Sequence, residues 1–363
     1  MTVTIHTGDC RDVLRTLPAQ SVHTCISSPP YFGLRDYGVA GQIGLEARPD
    51  CLGWATGNRC GDCGVCTLVD VYREVRRVLR DDGTCWVNLG DSYAGSGKTG
   101  GKASVAGTMS FRGAATSEQS RNIAGLKPKN LLGMPWRVAL ALQADGWFLR
   151  QDIIWAKPNP MPESVTDRCT KSHEYMFLLS KSAKYYFDAD AIKEQVTQST
   201  VARLAQNVEA QRGSDRVPGK TNGPMKAVRS KRDTFRRDDS KRAAVIPGQA
   251  AGTHRPDRTE SAWDTETRNK RSVWTVATQP YSEAHFATYP TALIEPCVLA
   301  SCPVGGIVLD PFGGSGTTGE VAENLGRDSI LIELSPEYAA LATRRTQQTG
   351  LSLHPRSDGE ATP

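Results

Sequence analysis

Apolar positions along this chain follow two periods. Between Asp70 and Leu79, Val71, Val75, Val78 and Leu79 share one face while Arg and Glu residues take the other, which predicts an amphipathic helix stopped by Asp81-Asp82-Gly83. A shorter helix is predicted from Trp136 to Leu142. Val22 to Ser27 alternates instead and is rich in β-formers, as a strand should be, and Thr84 to Leu89 and Phe148 to Trp155 read as further strands. Towards the C-terminal end come an apolar run from Gly306 to Leu309, a glycine-rich turn, a helix-like segment through Glu320 and Leu325 to Gly326, and a second apolar run from Ser329 to Ile332. Strands alternating with helices predict an α/β, Rossmann-like fold with a doubly wound, mainly parallel sheet. The 363 residues suffice for one large domain with insertions or for two domains.

The glycine turn carries chemistry. Asp310-Pro311-Phe312-Gly313-Gly314-Ser315-Gly316-Thr317-Thr318 follows the apolar run, and Glu333 ends the next one, 20 residues beyond Gly313. That spacing suits a nucleotide-type unit in which an acid grips ribose hydroxyls. Gly314-Ser-Gly316-Thr-Thr-Gly319 also satisfies the G-x-G-x-x-G pattern of dinucleotide enzymes, so a nicotinamide oxidoreductase fits the turn taken alone. Asp310 favours a different ligand. A carboxylate just before the turn is badly placed beside a pyrophosphate but well placed for a cationic amino group, and S-adenosylmethionine offers an amino group, a ribose and no phosphate.

Ser28-Pro29-Pro30-Tyr31 sits at the exit of the strand predicted from Val22 to Ser27, the end at which open α/β sheets bind ligands. Two consecutive prolines hold the backbone extended and remove two N–H donors, so they present carbonyl oxygens only. Acceptors beside a hydroxyl and an aromatic ring suit a planar base with an exocyclic amino group: the ring stacks and the acceptors take the amino protons.

In this order, the two motifs resemble those of the amino-directed DNA methyltransferases, acting on N4 of cytosine or N6 of adenine, in their β arrangement: S-P-P-Y first, a target-recognition region next, and D-P-F-x-G-S-G-T last. The similarity covers most of residues 1 to 190 and 270 to 345. It includes Gly8-Asp9-Cys10, Arg73 to Arg80, Trp86-Val87-Asn88-Leu89-Gly90-Asp91-Ser92-Tyr93, Ile154-Trp155-Ala156-Lys157-Pro158-Asn159 and His285-Phe286-Ala287-Thr288-Tyr289-Pro290. The resemblance implies a circularly permuted, S-adenosylmethionine-dependent methyltransferase fold with an inserted target-recognition region. Its expected parts are a catalytic half at 1–192, a basic recognition region at 193–275, a cofactor half at 276–348 and a disordered tail at 349–363. Asp310 with Gly313, Gly314, Ser315, Gly316 and Thr317 would hold the methionine part of the cofactor, Glu333 the ribose, Asp9 and Cys10 the adenine edge. Phe312 would lie along the adenosine, and the segment containing Phe286 would complete the pocket. Ser28 and the Pro29 carbonyl would accept the protons of the target amino group, Pro30 would stiffen the motif, and Tyr31 would stack on a base flipped out of the duplex. Serine rather than aspartate at position 28 leans toward N4 of cytosine, with N6 of adenine as the alternative. A catalytically silent DNA-binding relative and a protein or RNA methyltransferase are more distant alternatives.

Charge is uneven. Residues 193–271 hold 18 Lys or Arg against 10 Asp or Glu, in a chain whose net charge is only +5. Lys231, Arg232, Arg236, Arg237, Lys241 and Arg242 lie where the family places its recognition region, so contact with the phosphates of double-stranded DNA is the functional reading, and a solvated linker the bland one. A glycine-rich stretch from Gly95 to Gly125 reads as a loop that closes over DNA. Its Gly97-Lys98-Thr99 is a false P-loop, because Ser92 stands where the first glycine is needed. With no N-terminal apolar signal region and no apolar run near 18 residues, a cytoplasmic protein associated with the nucleoid through DNA is expected, without a membrane partner. A cognate restriction endonuclease is a candidate partner, and monomer and homodimer both stay open.

Ten cysteines in such a chain argue against a disulfide framework. Six are scattered, but Cys51, Cys60, Cys63 and Cys66 cluster among glycines and end in C-x-x-C-x-x-C. They are either a closed tetrahedral zinc site or free thiols on a surface insert. The spacing departs from a paired-knuckle ribbon, and the Cys-Pro of a ferredoxin cluster is missing.

Overall fold

The computed structural model describes residues 1–34, 36–94, 127, 129–197, 267–279 and 288–349. The chain divides into two compact units, one made of Met1–Ile192 with Arg271–Pro363 and the other of Lys193–Lys270. The second unit ends at Lys270, short of the residue 275 expected from sequence. Its described part is a small antiparallel pair, β6 (Glu194–Gln195) with β7 (Thr267–Arg268). The six basic residues from Lys231 to Arg242, the Gly95–Gly125 stretch, Phe286 and the tail after Leu353 all lie outside the described residues.

The first unit is built on an eight-stranded sheet. Its strands are β1 (Val3–Thr7), β2 (Val22–Ser27), β3 (Leu79–Leu89), β4 (Phe148–Ala156), β5 (His173–Ser180), β8 (Val273–Thr275), β9 (Ile307–Asp310) and β10 (Asp328–Glu333), in the spatial order β1-β10-β9-β2-β3-β5-β4-β8. The pairings from β1 to β3 are all parallel, as is β4 with β8; β5 runs antiparallel to both its neighbours. The sheet is therefore mainly parallel, and its direction of growth reverses between β9 and β2. In open α/β sheets that switch opens a crevice for ligands at the carboxyl ends of the strands.

Helices cover both faces, so β-strand alternation feeds two cores. One core gathers α1 (Cys10–Thr16), α3 (Gly64–Val78) and α4 (Met134–Ala144) against Cys25, Val87 and Phe177, after the short α2 (Gly53–Thr56). The other gathers α5 (Thr291–Ser301) and α6 (Thr317–Asn324) against Ile26, Trp86 and Met176, the neighbours of those residues in sequence. The last helix, α7 (Pro336–Thr349), packs on α6 and β1. Among the described residues no helix is long and apolar enough to cross a membrane.

Two boundaries depart from the sequence pattern. The helix begins at Gly64 rather than near Asp70, because its first N–H groups find acceptors in a distant loop: Gly64 donates to the Arg48 carbonyl at 3.1 Å and Val65 to that of Pro49 at 2.9 Å. At its other end α3 passes straight into β3 at Leu79. Asp81-Asp82-Gly83 is a bulge in the strand, where the register with β2 jumps from Val22↔Leu79 to Thr24↔Thr84.

The second core is fastened to the sheet by buried polar contacts between β2, β3 and α5. The Trp86 indole N–H donates to Ser301 Oγ at 3.0 Å, and that hydroxyl lies 3.0 Å from Thr24 Oγ1. Trp86 is fully buried, so Ser301→Ala strands its N–H donor. We expect a loss of about 1–3 kcal/mol in urea unfolding, and an unchanged midpoint would show that the donor finds another acceptor.

Candidate active site

Four strand ends converge at the switch. β2 and β9 pair through Thr24↔Val308 and Cys25↔Leu309, so Ser28-Pro29-Pro30-Tyr31 and Asp310 leave adjacent parallel strands at the same edge. Glu333 ends β10 on the other side of β9, and Gly8-Asp9 follows β1 beyond it.

Asp310 is almost fully buried at 1% exposure. One carboxylate oxygen accepts from Tyr289 Oη at 2.9 Å and Thr318 Oγ1 at 2.5 Å; the other accepts from the Phe312 backbone N–H at 3.0 Å. Burial dominates over these bonds and pushes its pKa up to about 6. Glu333 closes the glycine turn: Oε2 accepts from Gly314 N–H at 2.8 Å and Oε1 from Ser335 N–H at 2.9 Å, and burial raises its pKa as well. The turn is built for close approach. At Gly316, with φ +85°, a Cβ would lie 2.9 Å from the Ala342 Cβ on α7.

Several predicted residues are placed differently. The hydroxyls of Ser315 and Thr317 are buried and accept from Arg345 on α7 at 3.1 and 2.9 Å, so these side chains fasten the turn to a helix and only their backbone is left to meet a ligand. It is Thr318 that reaches Asp310. The Cys10 thiol faces the core, where burial pushes its pKa up to about 12, leaving its backbone as the only part able to meet an adenine edge. Asp9 caps α1 through the Arg11 N–H at 2.8 Å and pairs with the Arg11 guanidinium, whose hydrogen bonds hold its carboxyl below the usual range. Phe312 packs against the first core.

Around the Ser-Pro-Pro-Tyr motif runs a network that sequence reading did not assemble. Asn88, buried on β3, donates from Nδ2 to the Tyr175 carbonyl at 3.1 Å, and this fixes its amide with Oδ1 toward the motif. Oδ1 then accepts from Ser28 Oγ at 3.3 Å and from Tyr31 Oη at 3.0 Å. The Tyr31 hydroxyl also lies 2.6 Å from Glu174 Oε2, and the other oxygen of Glu174 pairs with Lys157, whose ammonium stands 4.2 Å over the Trp155 ring. Tyr31 is thus held at its tip by β3 and β5 and along its ring by Gly90. Asn88, Gly90 and Lys157 do lie in segments that carry the family resemblance, and Tyr289 lies in the segment from His285 to Pro290. Thr318 closes the quoted glycine-turn motif, though without a role of its own there; Glu174 had no such signal.

A switch point of the sheet where the buried Asp310, the half-buried Glu333, a glycine turn and a rigid acceptor motif meet is that of a Rossmann-like methyltransferase. Known proteins narrow the class: the model of the DNA methylases of N6/N4 type matches residues 22–344, and the chain belongs to that family. It is 40% identical over 351 residues to the Type II methyltransferase M.Cfr9I of Citrobacter freundii, covering 95% of this chain and 87% of that protein. With M.SmaI of Serratia marcescens, also a Type II methyltransferase, identity is 39% over 338 residues, covering 93% and 88%. The fold matches the solved PvuII DNA methyltransferase, described as cytosine-N4-specific, with a TM-score of 0.55 at 16% identity over 96% of this chain and 90% of that one.

Gly90 tests how tightly the Tyr31 ring is held. A Cβ there would fall 2.5 Å from Tyr31 Cε2, too close to be absorbed without moving the ring. Gly90→Ala should cost about 1–3 kcal/mol of stability in urea unfolding, as overpacking does; an unaltered midpoint would mean that the ring yields freely.

Proposed function

We propose that this protein transfers a methyl group from S-adenosylmethionine to N4 of cytosine in double-stranded DNA, as the modification enzyme of a Type II system. The observation that carries this reading is the state of Ser28. Its proton is directed to Asn88 Oδ1, so the hydroxyl presents lone pairs and acts as a neutral acceptor beside the Pro29 carbonyl. An exocyclic amino nitrogen is a poor nucleophile while its lone pair is delocalised into the ring. Two acceptors hydrogen-bonded to its N–H groups favour the tetrahedral form, the lone pair then displaces S-adenosylhomocysteine from the methyl carbon, and the methylated nitrogen sheds one proton to solvent, with positioning and aimed dipoles doing the remaining work. S-adenosylmethionine supplies the electrophilic methyl on its sulfonium, so no covalent enzyme intermediate is needed. Flipping the base costs a few kcal/mol, and stacking on Tyr31 recovers about 1–3 kcal/mol of it. The basic residues from Lys231 to Arg242 are assigned to the DNA backbone. Asp310 takes the cofactor's ammonium, Glu333 its ribose diol, and the backbone from Gly313 to Thr317 the methionine portion, while Phe312, Phe286 and the Asp9-Cys10 backbone flank the adenosine.

The target is tested by incubating the protein with labelled S-adenosylmethionine and unmethylated DNA, then identifying the labelled nucleoside by mass spectrometry. N4-methylcytosine is expected. N6-methyladenine would overturn the reading of Ser28 and keep the rest, and no label on varied DNA despite cofactor binding would point to another substrate or a silent relative.

Asp310 makes cofactor binding depend on pH. Moving a fully buried carboxyl from 3.8 to about 6 disfavours its ionisation by about 3 kcal/mol. In the free protein, folding then binds the proton, so the stability it contributes at low pH is lost as pH rises from about 4 to about 6. A cationic partner needs the ionised form, so affinity should run the other way, rising with pH and levelling off above about 6. Titration calorimetry with S-adenosylhomocysteine between pH 5 and 8 should show this rise, approaching tenfold per unit at the acid end. Asp310→Asn should bind more weakly and with a flatter profile; full affinity in that variant would remove Asp310 from the pocket.

A further inference from the structure

The cysteine cluster lies outside the reaction chemistry, and the fold brings it together from three places. Cys51 precedes α2, Cys60 lies in the following loop, Cys63 caps α3 and Cys66 lies in its first turn. The four sulfurs all fall within 4.8 Å of one another, with Cys51 and Cys66 at 3.6 Å and Cys60 and Cys66 at 3.9 Å. A disulfide needs about 2.05 Å, so these are not bonded pairs. A tetrahedron of thiolates at the zinc–sulfur distance of about 2.3 Å has edges of about 3.8 Å, which these two separations bracket.

We propose that Cys51, Cys60, Cys63 and Cys66 form a structural zinc site that braces the loop behind the Ser-Pro-Pro-Tyr motif. Thiolates are soft donors suited to zinc, and four protein ligands close its coordination sphere, so the ion is structural rather than catalytic. The surrounding backbone supports negative sulfur: Gly53 N–H donates to Cys51 Sγ at 3.3 Å. The loop folds tightly on itself there, since a Cβ on Gly53 would fall 2.0 Å from the Asn58 carbonyl oxygen.

The site is placed to matter for the motif. Gly64, between two of the ligands, packs so closely on Phe32 that a Cβ would approach its ring to 2.9 Å, and Phe32 follows Tyr31. Gly64 N–H also donates to the Arg48 carbonyl, while Gly33 N–H donates to the Gly44 carbonyl at 2.8 Å. A metal at the start of α3 therefore fixes the loop from Phe32 to Cys51 at both ends.

Metal content can be measured on the full-length protein, purified without chelator, by inductively coupled plasma mass spectrometry. About one zinc per chain is expected, as for a single closed site. Cys60→Ser, chosen because Cys60 is exposed, should release zinc to a chelator roughly tenfold faster or more. Cys169→Ser, at an exposed cysteine outside the cluster, should behave as the parent. Cobalt-loaded parent protein should show the thiolate-to-metal and d–d absorption of a tetrahedral tetrathiolate, which tests the site without any variant. Absence of stoichiometric metal, with the cluster thiols open to Ellman's reagent in the folded protein and unprotected by added zinc, overturns the proposal. Stoichiometric iron overturns the choice of metal. None of these readouts depends on methyl transfer.

Discussion

The ligand edge depends on one short contact, the parallel pairing of β2 with β9. The strands are separated by some 280 residues of sequence, yet their register sets the Ser-Pro-Pro-Tyr motif beside Asp310. Sheet hydrogen bonds alone would hold such a short pairing weakly. The two cores reinforce it, because Cys25 and Leu309 feed the first while Ile26 and Val308 feed the second. The proposed methyl donor and acceptor sites are thus positioned by the most deeply buried strands, which is where backbone positions fluctuate least.

The two sides of the crevice solve different electrostatic problems. Asp310 is kept in low-dielectric surroundings whose burial outweighs its three hydrogen bonds, which raises its pKa and leaves it under-stabilised as an anion. That is a cost to the free protein, and the proposed ammonium contact would relieve it. On the other side, the Glu174 carboxylate is paired with Lys157 and bonded by Tyr31, so its charge is spent on holding a ring. The two acids are distinguished by what satisfies them: neutral hydroxyls and a backbone N–H at Asp310, an ammonium and a hydroxyl at Glu174.

Sequence patterns disclosed much of this arrangement. The strand–turn–helix–strand unit from Ile307 to Glu333 and the strand before Ser28 were legible because their hydrophobic periods and glycine positions are local. The early start of α3 was not, since its N-terminal hydrogen bonds come from Arg48 and Pro49. The contacts of the Ser315 and Thr317 hydroxyls with Arg345 were hidden for the same reason: their partner sits on a helix whose approach no local pattern encodes. Glu174 is the extreme case, a single acid on a predominantly apolar strand whose role exists only through antiparallel pairing with β3 and β4. Whatever was fixed by neighbours in sequence could be read from local pattern; side-chain and capping contacts made by partners distant in sequence could not.

Glu333 shows how the turn can serve two ends at once. A carboxylate has about four acceptor positions, and Gly314 and Ser335 take one on each oxygen. Two remain, which is what a ribose diol requires. The proposed ribose contact therefore need not break the bonds that close the turn, and the carboxylate meets its ligand already oriented by two backbone donors. Glutamine at this position would keep only one oxygen, and its amide nitrogen would face one of the two N–H groups as a second donor. The acid is thus demanded by the fold of the turn as well as by the ligand, so substitution there would reshape the turn along with the ligand's seat.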